Sequence, residues 1–264
     1  MDVPRAAVVA ARLDVLPETG STNADLRAHS DDLVGWPHMS ALVTANQTAG
    51  RGRLDRVWTA PAGASLAVSV LLRRLPVSPE ARGWIPLVAG LAMADAVAAQ
   101  LPGRDVGVKW PNDVLVDDVE AGGTVTDARK ICGILAEATG DAVIVGAGVN
   151  TAMTEAELPV PTATSFAVLG VRADEDRLLA EYLRALDAHL AALVAADGAV
   201  RSGLHAAVTA RCVTLGREVR VSLPGGEFVE GRATRLDPDG RLVVRTDEVE
   251  RTISAGDVVH ARAL

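Results

Sequence analysis

The sequence predicts an α+β domain followed by a small all-β barrel, and three observations carry that prediction. Two long stretches, residues 84–100 and 174–196, place apolar side chains at helical spacing. Around them lie short apolar runs of strand character at 39–45, 65–72, 106–110, 114–116, 129–137 and 142–149. After Cys212 the period changes to short strands at 219–223, 228–236, 241–245, 250–254 and 258–260. The turns Pro224-Gly225-Gly226 and Asp237-Pro238-Asp239-Gly240 between them are strong hairpin signals. The expected domains are residues 1–210 and 211–264.

Taken in order, residues 12–16 form a strand that ends at Pro17. Gly20-Ser21-Thr22-Asn23 then reads as a helix N-cap, with Asp25 in the first turn of a helix over 24–29. One hydroxyl suffices for a cap, so Ser, Thr and Asn together leave donors and acceptors to spare. A helix start also presents unpaired N–H groups to a ligand.

Residues 47–58 join two apolar strands and hold Arg51, Arg53, Arg56, Gly50, Gly52 and Trp58. Glycine lets a backbone come close to a ligand, and arginine offers forked, permanently charged donors to a carboxylate or phosphate. Such a loop, without apolar anchors before Val57, is expected to be poorly ordered until a ligand arrives.

Residues 76–79 form a turn, and 84–100 an amphipathic or buried core helix. Lys109-Trp110-Pro111-Asn112-Asp113 interrupts an apolar strand with a polar turn. Residues 117–128 look like an extended hairpin tip, and Lys130 opens the next strand, where Gly133 leaves room for close backbone approach. Gly146 and Gly148 end a further strand at Asn150, but no third glycine completes a dinucleotide fingerprint. A short helix over 199–209 precedes the barrel.

The composition sets limits. The net charge of −8 argues against a general nucleic-acid binder. No apolar run approaches the ~18 residues needed to span a bilayer, and residues 1–12 lack the layout of a signal peptide. Cys132 and Cys212 are far apart and read as free buried thiols of a reducing cytoplasm. The five histidines show no metal-ligand spacing.

Five elements stand out: Gly20-Ser21-Thr22-Asn23, the arginine loop, Lys109-Trp110-Pro111-Asn112-Asp113, Lys130-Ile131-Cys132-Gly133-Ile134-Leu135 and Gly146-Ala147-Gly148-Val149-Asn150. In identity, order and spacing they resemble the biotin protein ligases, from about Val15 to the C-terminal barrel. The loop and the Lys-Trp-Pro-Asn-Asp motif together make the resemblance specific. It implies a mixed-sheet catalytic domain of the biotin/lipoate ligase type with a small SH3-like C-terminal β-barrel. It also implies a two-step reaction. Biotin and Mg-ATP give biotinyl-5'-AMP and pyrophosphate, and the biotinyl group then passes to a lysine of the biotin carboxyl carrier domain of an acyl-CoA carboxylase.

The resemblance also implies roles. Ser21, Thr22, Asn23 and Gln47 would bind the ureido ring of biotin. Arg51, Gly52 and Arg53 would close over it, and Gly133 and Gly148 would line its pocket. Arg56 would reach the phosphate and Trp58 cover the ligand or stack on adenine, with Asn150 at the adenine pocket. Lys130 would hold the carboxylate and α-phosphate oxygens, and with Arg53 and Asp113 would form the catalytic set. Asp113 would either hold Mg²⁺ or orient and deprotonate the incoming lysine. Trp110 and Asn112 could equally support the turn or contact the ligand.

The chain departs from the family pattern at Asp55 in place of a glycine, at Cys132 in place of an alanine, and in a longer 117–128 segment. The pattern begins near Val15, so no winged-helix domain, DNA binding or repressor role is expected. The alternatives are a lipoate or octanoate ligase on the same fold and a non-enzymatic biotin-sensing module. The arginine loop with Lys-Trp-Pro-Asn-Asp favours the biotin branch over the first. The number of cations, more than binding alone requires, argues against the second.

Overall fold

The structure, a computed structural model, describes residues 1–54, 56–119 and 125–260. Asp55 and the tip of the 117–128 hairpin, two of the departures noted above, lie outside the described residues. The chain runs α1 (Pro4–Val9), β1 (Arg12–Leu16), α2 (Thr22–Ala28), β2 (Ser40–Thr44), β3 (Gly50–Arg51), β4 (Val57–Trp58) and β5 (Ser65–Leu72). It continues through α3 (Pro79–Arg82), α4 (Ile85–Ala98), β6 (Val106–Lys109), β7 (Asp113–Val119), β8 (Val125–Thr139) and β9 (Ala142–Asn150). Then come α5 (Glu175–Ala196), α6 (Ala199–Ser202), α7 (Leu204–Arg211) and five strands, β10 (Glu218–Ser222), β11 (Phe228–Leu236), β12 (Leu242–Arg245), β13 (Glu250–Ile253) and β14 (Asp257–His260).

The first seven-stranded sheet has the order β1-β2-β5-β9-β8-β7-β6. Only β1 and β2 pair in parallel; β2-β5, β5-β9, β9-β8, β8-β7 and β7-β6 are antiparallel, so the sheet is mixed as expected. Strand alternation divides it into two unlike faces. Leu66, Val68, Val70 and Leu72 of β5 join Val145, Ala147 and Val149 of β9 in a core shared with α4 and α5. The opposite parity is small or polar in its middle, Ala67 and Ser69 on β5 with Gly148 and Gly146 on β9, and apolar beyond it, where Leu71 and Ile144 pack with Leu26, Trp36 and Leu42 in a second cluster. A cleft can open over the small and polar part of that second face, because the first face is filled by helices and the rest of the second by α2 and Trp36.

The strand and long-helix boundaries agree with the sequence reading to within a few residues, except that β7 begins at Asp113 and β8 extends over Val125–Thr139. Three local readings do not hold. The expected 199–209 helix is two short ones, because Gly203 takes φ 81° between them. Ser21 sits at the N-cap of α2 but makes no side-chain cap bond, and the helix starts at Thr22. The stretch Pro79–Ala98 is long and apolar enough to cross a membrane by length and composition, contrary to the expectation of no such run. It is 72% buried, and its apolar character is that of a core helix packed on the sheet and on α5.

The second sheet has the order β13-β12-β11-β10-β14, all antiparallel. It is joined to the first domain through tryptophans. The indole N–H of Trp84 donates to Pro238 O (2.9 Å) and that of Trp110 to Gly240 O (2.9 Å), both in the turn before β12. Gly240 is required there: its φ is 79°, and a Cβ would lie 3.1 Å from the Trp84 ring.

Cys132 and Cys212 are free and buried, at 0% and 7% exposure. Burial pushes both thiols up, away from the thiolate that reacts. The native protein should therefore leave a chromogenic thiol reagent unreacted over minutes, while both thiols react at once in denaturant. Rapid native reaction at either would contradict the packing.

Candidate functional site

A cleft opens on the glycine-rich face of the sheet. Ala67, Gly146 and Gly148 line its floor, and α2 and the arginine loop form its walls. The glycines are needed by what stands over them. A Cβ at Gly146 would lie 2.4 Å from Asn23 Oδ1, and one at Gly148 would lie 2.6 Å from the Trp58 ring.

One end of the cleft is a buried polar cluster. Gln47, from the start of the loop, caps α2 in place of Ser21: its Oε1 accepts from the Thr22 N–H at 3.0 Å and lies 3.1 Å from Thr22 Oγ1. Ser69 Oγ lies 2.7 Å from Thr22 Oγ1 and 2.6 Å from Asn23 Oδ1. Asn23 Nδ2 donates to Glu137 Oε2 at 2.7 Å, which fixes the amide so that Oδ1 faces Ser69. Three contacts therefore link four oxygens, but Thr22 and Ser69 supply only one hydroxyl hydrogen each. The cluster is short of hydrogen and has acceptor capacity for incoming N–H groups. Ser21, buried beside it and unused as a cap, keeps a hydroxyl to donate.

The other end is cationic. Lys130 Nζ lies 2.6 Å from Asp113 Oδ1. Arg53 Nη1 donates to Asn112 Oδ1 at 3.0 Å and to Gly256 O at 3.4 Å. Arg56 forms a forked pair with Asp257, one arm at 3.2 Å. Burial pushes the Arg53 guanidinium down, against the pull of Asp113 and Asp257. The bond to Asp257 holds Arg56 up. Lys109, opposite Asp113 in the β6-β7 register, is likewise pushed down by burial, with Asp113 and Asp257 opposing. Such a cluster suits a polyanion, because several fixed cations converge on one end of the cleft.

Trp58 lies between the two ends. Its ring packs on Gly148 and approaches Gly133 (3.3 Å from a Cβ placed there), with Lys130 Nζ 5.8 Å from its centroid. Its indole N–H is buried and, among the described residues, has no hydrogen-bond partner, so an acceptor on a bound molecule would satisfy it.

Of the residues singled out in the sequence, Ser21, Thr22, Asn23, Gln47, Arg51, Gly52, Arg53, Arg56, Trp58, Asp113, Lys130, Gly133 and Gly148 all line this one cleft. Asn150 does not: it is buried at 3% exposure and its Nδ2 donates to Thr164 O at 2.8 Å, which anchors the chain beyond β9. Trp110 is a buried support, and Asn112 clamps the turn to β8 through Ile134 O (2.7 Å) while bounding the cleft. Asp113 Oδ1 is paired with Lys130. Among the described residues no group of three His, Cys, Asp or Glu side chains could hold a metal ion.

Sequence reasoning missed Ser69, Glu137 and Asp257. Ser69 and Glu137 sit in strands, where only the alternation of faces could have pointed to them. Asp257 comes from the far barrel, and no local signal marks it.

Residues 15–150 match the Biotin/lipoate A/B protein ligase family, and residues 214–261 match the Biotin protein ligase C terminal domain. The chain is 42% identical over 257 residues to the biotin–[acetyl-CoA-carboxylase] ligase of Mycobacterium tuberculosis, covering 95% of this chain and 90% of that protein. It is 37% identical over 183 residues to the bifunctional ligase/repressor BirA of Escherichia coli, covering 67% of this chain and 52% of that one. Among solved structures, the biotin protein ligase from Aquifex aeolicus in complex with biotin and ATP aligns with a TM-score of 0.74 at 26% identity, covering 96% of this chain and all of that one (100%). The ligase from Leishmania major in complex with biotinyl-5-AMP aligns with a TM-score of 0.57 at 27% identity, covering 96% and 99%. The fold, the ordered motifs and these matches together make one statement: the chain belongs to the biotin protein ligase family.

Proposed function

We propose that this chain activates biotin with ATP to give biotinyl-5'-AMP and transfers the biotinyl group to one lysine of the biotin carboxyl carrier domain of an acyl-CoA carboxylase. The observation that carries this reading is the polarity of the cleft. A hydrogen-deficient cluster at one end meets a cluster of cations at the other, with Trp58 and two glycines between. Biotin has a matching polarity: a ureido ring with two N–H donors at one end and a carboxylate at the other.

In this reading Thr22, Asn23 and Gln47 accept from the ureido N–H groups, and Ser21 donates to its carbonyl. Arg51, Gly52 and Arg53 close the loop over the bound ring, Gly133 and Gly148 line its pocket, and Trp58 covers the ligand. At the cationic end a carboxylate oxygen of biotin attacks the α-phosphorus, and pyrophosphate leaves. Lys130, Arg53 and Arg56 offset the repulsion between two anions and the charge that builds on the phosphorus oxygens. Mg²⁺ enters as part of the nucleotide substrate. In the second step the carrier lysine's neutral amine attacks the acyl carbon, an amide forms, and AMP leaves. A free lysine amine has a pKa near ~10.4. In this reading Asp113 orients that amine and takes its proton once Lys130 has turned to the phosphate.

The buried acceptor cluster also separates the two branches of the family. The dithiolane ring of lipoate has no N–H to offer, so it would leave these acceptors without partners, and sites built for hydrogen bonding reject such analogues strongly. We place the enzyme in the cytoplasm, where the two free thiols belong. DNA binding forms no part of the proposed function.

The test is intact-mass analysis of a biotin carboxyl carrier domain incubated with this protein, Mg-ATP and biotin, with lipoate in parallel. The expected result is a gain of one biotinyl group that requires ATP. A gain with lipoate alone would move the chain to the sister branch. No gain with either, and no AMP formed, would overturn the ligase reading.

A further inference from the structure

We infer that Glu137 is a positioning residue that couples ureido recognition to closure of the arginine loop; the inference rests on the reading of the cleft given above. Glu137 lies on β8, one pleat beyond Leu135, with its side chain 19% exposed. Its carboxylate gathers three donors from two separate elements. Oε2 accepts from Asn23 Nδ2 at 2.7 Å and from Arg51 Nη2 at 3.1 Å. Oε1 accepts from Arg27 Nη2 at 2.9 Å.

Each bond has a distinct consequence. A carboxylate only accepts, so it forces the Asn23 amide to present Nδ2 to it and Oδ1 to Ser69 and the cleft. Without it, the amide could turn over and offer N–H groups to a ligand that also brings N–H groups. The bond to Arg51 holds the loop, at the strand β3, against the same oxygen. The polarity of the ureido cluster and the position of the loop therefore share one atom. A ligand that holds Asn23 Oδ1 toward the cleft keeps Glu137 in place for Arg51, and a seated Arg51 keeps Glu137 on Asn23. Such coupling is reciprocal.

A purely structural role predicts something else. The two arginine contacts are partly exposed ion pairs, at 43% and 47% exposure on the arginine side, and pairs of that kind contribute little to stability. The Asn23 bond is different, since Asn23 is buried at 4% exposure. Losing it should register in ligand binding, beyond the stability that an unpaired buried amide costs.

The experiment is Glu137→Gln beside the wild type, read in three ways. These are KM for biotin in adenylate formation, turnover of supplied biotinyl-5'-AMP onto the carrier domain, and trypsin cleavage within residues 50–56 with and without saturating biotin. The expected KM rises about 10- to 100-fold, the span of one hydrogen bond to a charged group. Turnover from the supplied adenylate at saturation stays unchanged, and biotin no longer protects the loop. A KM within twofold of wild type with intact protection overturns the inference. So does a parallel loss of kcat in both steps with a lowered Tm, which marks general damage. Should the glutamine variant fail to fold, Glu137→Asp decides: a raised KM with weakened protection supports the coupling, and wild-type values overturn it. If the wild type itself neither loads the carrier nor binds biotin, the parent reading fails as well. If the wild type ligates but biotin gives its loop no protection, the coupling alone fails.

Discussion

Lys130→Ala should lower adenylate formation by roughly two to three orders of magnitude, the effect of removing one preorganised donor from a charge-stabilising site. The structure sets the direction twice. The variant loses the cation nearest the junction of the two ends, and it leaves Asp113, now 2.6 Å from Lys130 Nζ, as an uncompensated anion where phosphate must arrive. Biotin affinity should change far less, because the hydrogen-deficient cluster of Thr22, Gln47, Ser69 and Asn23 is untouched. Pyrophosphate release measured without carrier gives the rate, and calorimetric titration gives the affinity. Adenylation within tenfold of wild type would remove Lys130 from the reaction. The companion variant Lys130→Ala with Asp113→Ala should recover part of the loss if the stranded carboxylate is a cause of it.

Trp110→Ala should be the most damaging of the structural changes, at about 3–5 kcal/mol of folding stability. The ring is 2% exposed, its indole N–H donates to Gly240 O at 2.9 Å, and its backbone N–H donates to Thr214 Oγ1 at 3.0 Å. Removing it opens a cavity between the motif turn and the barrel. It should also cost activity indirectly, because the barrel carries Gly256 and Asp257, which hold Arg53 and Arg56. Denaturant titration gives the stability. Trp110→Phe, which keeps much of the ring, should lose less than half as much. A loss below about 1 kcal/mol in the alanine variant would show that the indole is not what anchors the barrel.

The strands and long helices were legible because their signals are local. The sequence SLAVSVLL of β5 alternates faces, and all eight of its residues are buried in a sheet with helices on one side and the cleft on the other. The 22-residue α5 shows a leucine stripe and an N-cap aspartate, whose side chain accepts from the Arg177 N–H at 3.0 Å. The division of 199–209 at Gly203 was not legible, since a glycine inside a helical pattern is tolerated at a cost of about 1 kcal/mol and need not break the helix.

At the site, the residue types were legible and the partnerships were not. Arg51, Arg53 and Arg56 point to an anion site as an ensemble, three forked cations beside two glycines, although any one of them alone would read as a solvated loop residue. Which acceptor each arginine takes depends on atoms from distant parts of the chain: Glu137 for Arg51, Asn112 for Arg53 and Asp257 for Arg56. The motif Lys109-Trp110-Pro111-Asn112-Asp113 divides in the same way. Its chemistry could be read as a unit, but only packing sends Trp110 inward to the barrel and Asp113 outward to Lys130. Likewise Ser21, Thr22 and Asn23 read as a cap, whereas the fold brings in Gln47 to cap the helix and frees them for the cleft. The sequence by itself thus determined the family, the chemistry on offer and the order of the elements, since these reside in residue identity and short-range spacing. Only the tertiary structure decided which polar groups are spent on each other and which remain for a ligand, because hydrogen-bond satisfaction is settled by atoms that meet across the fold.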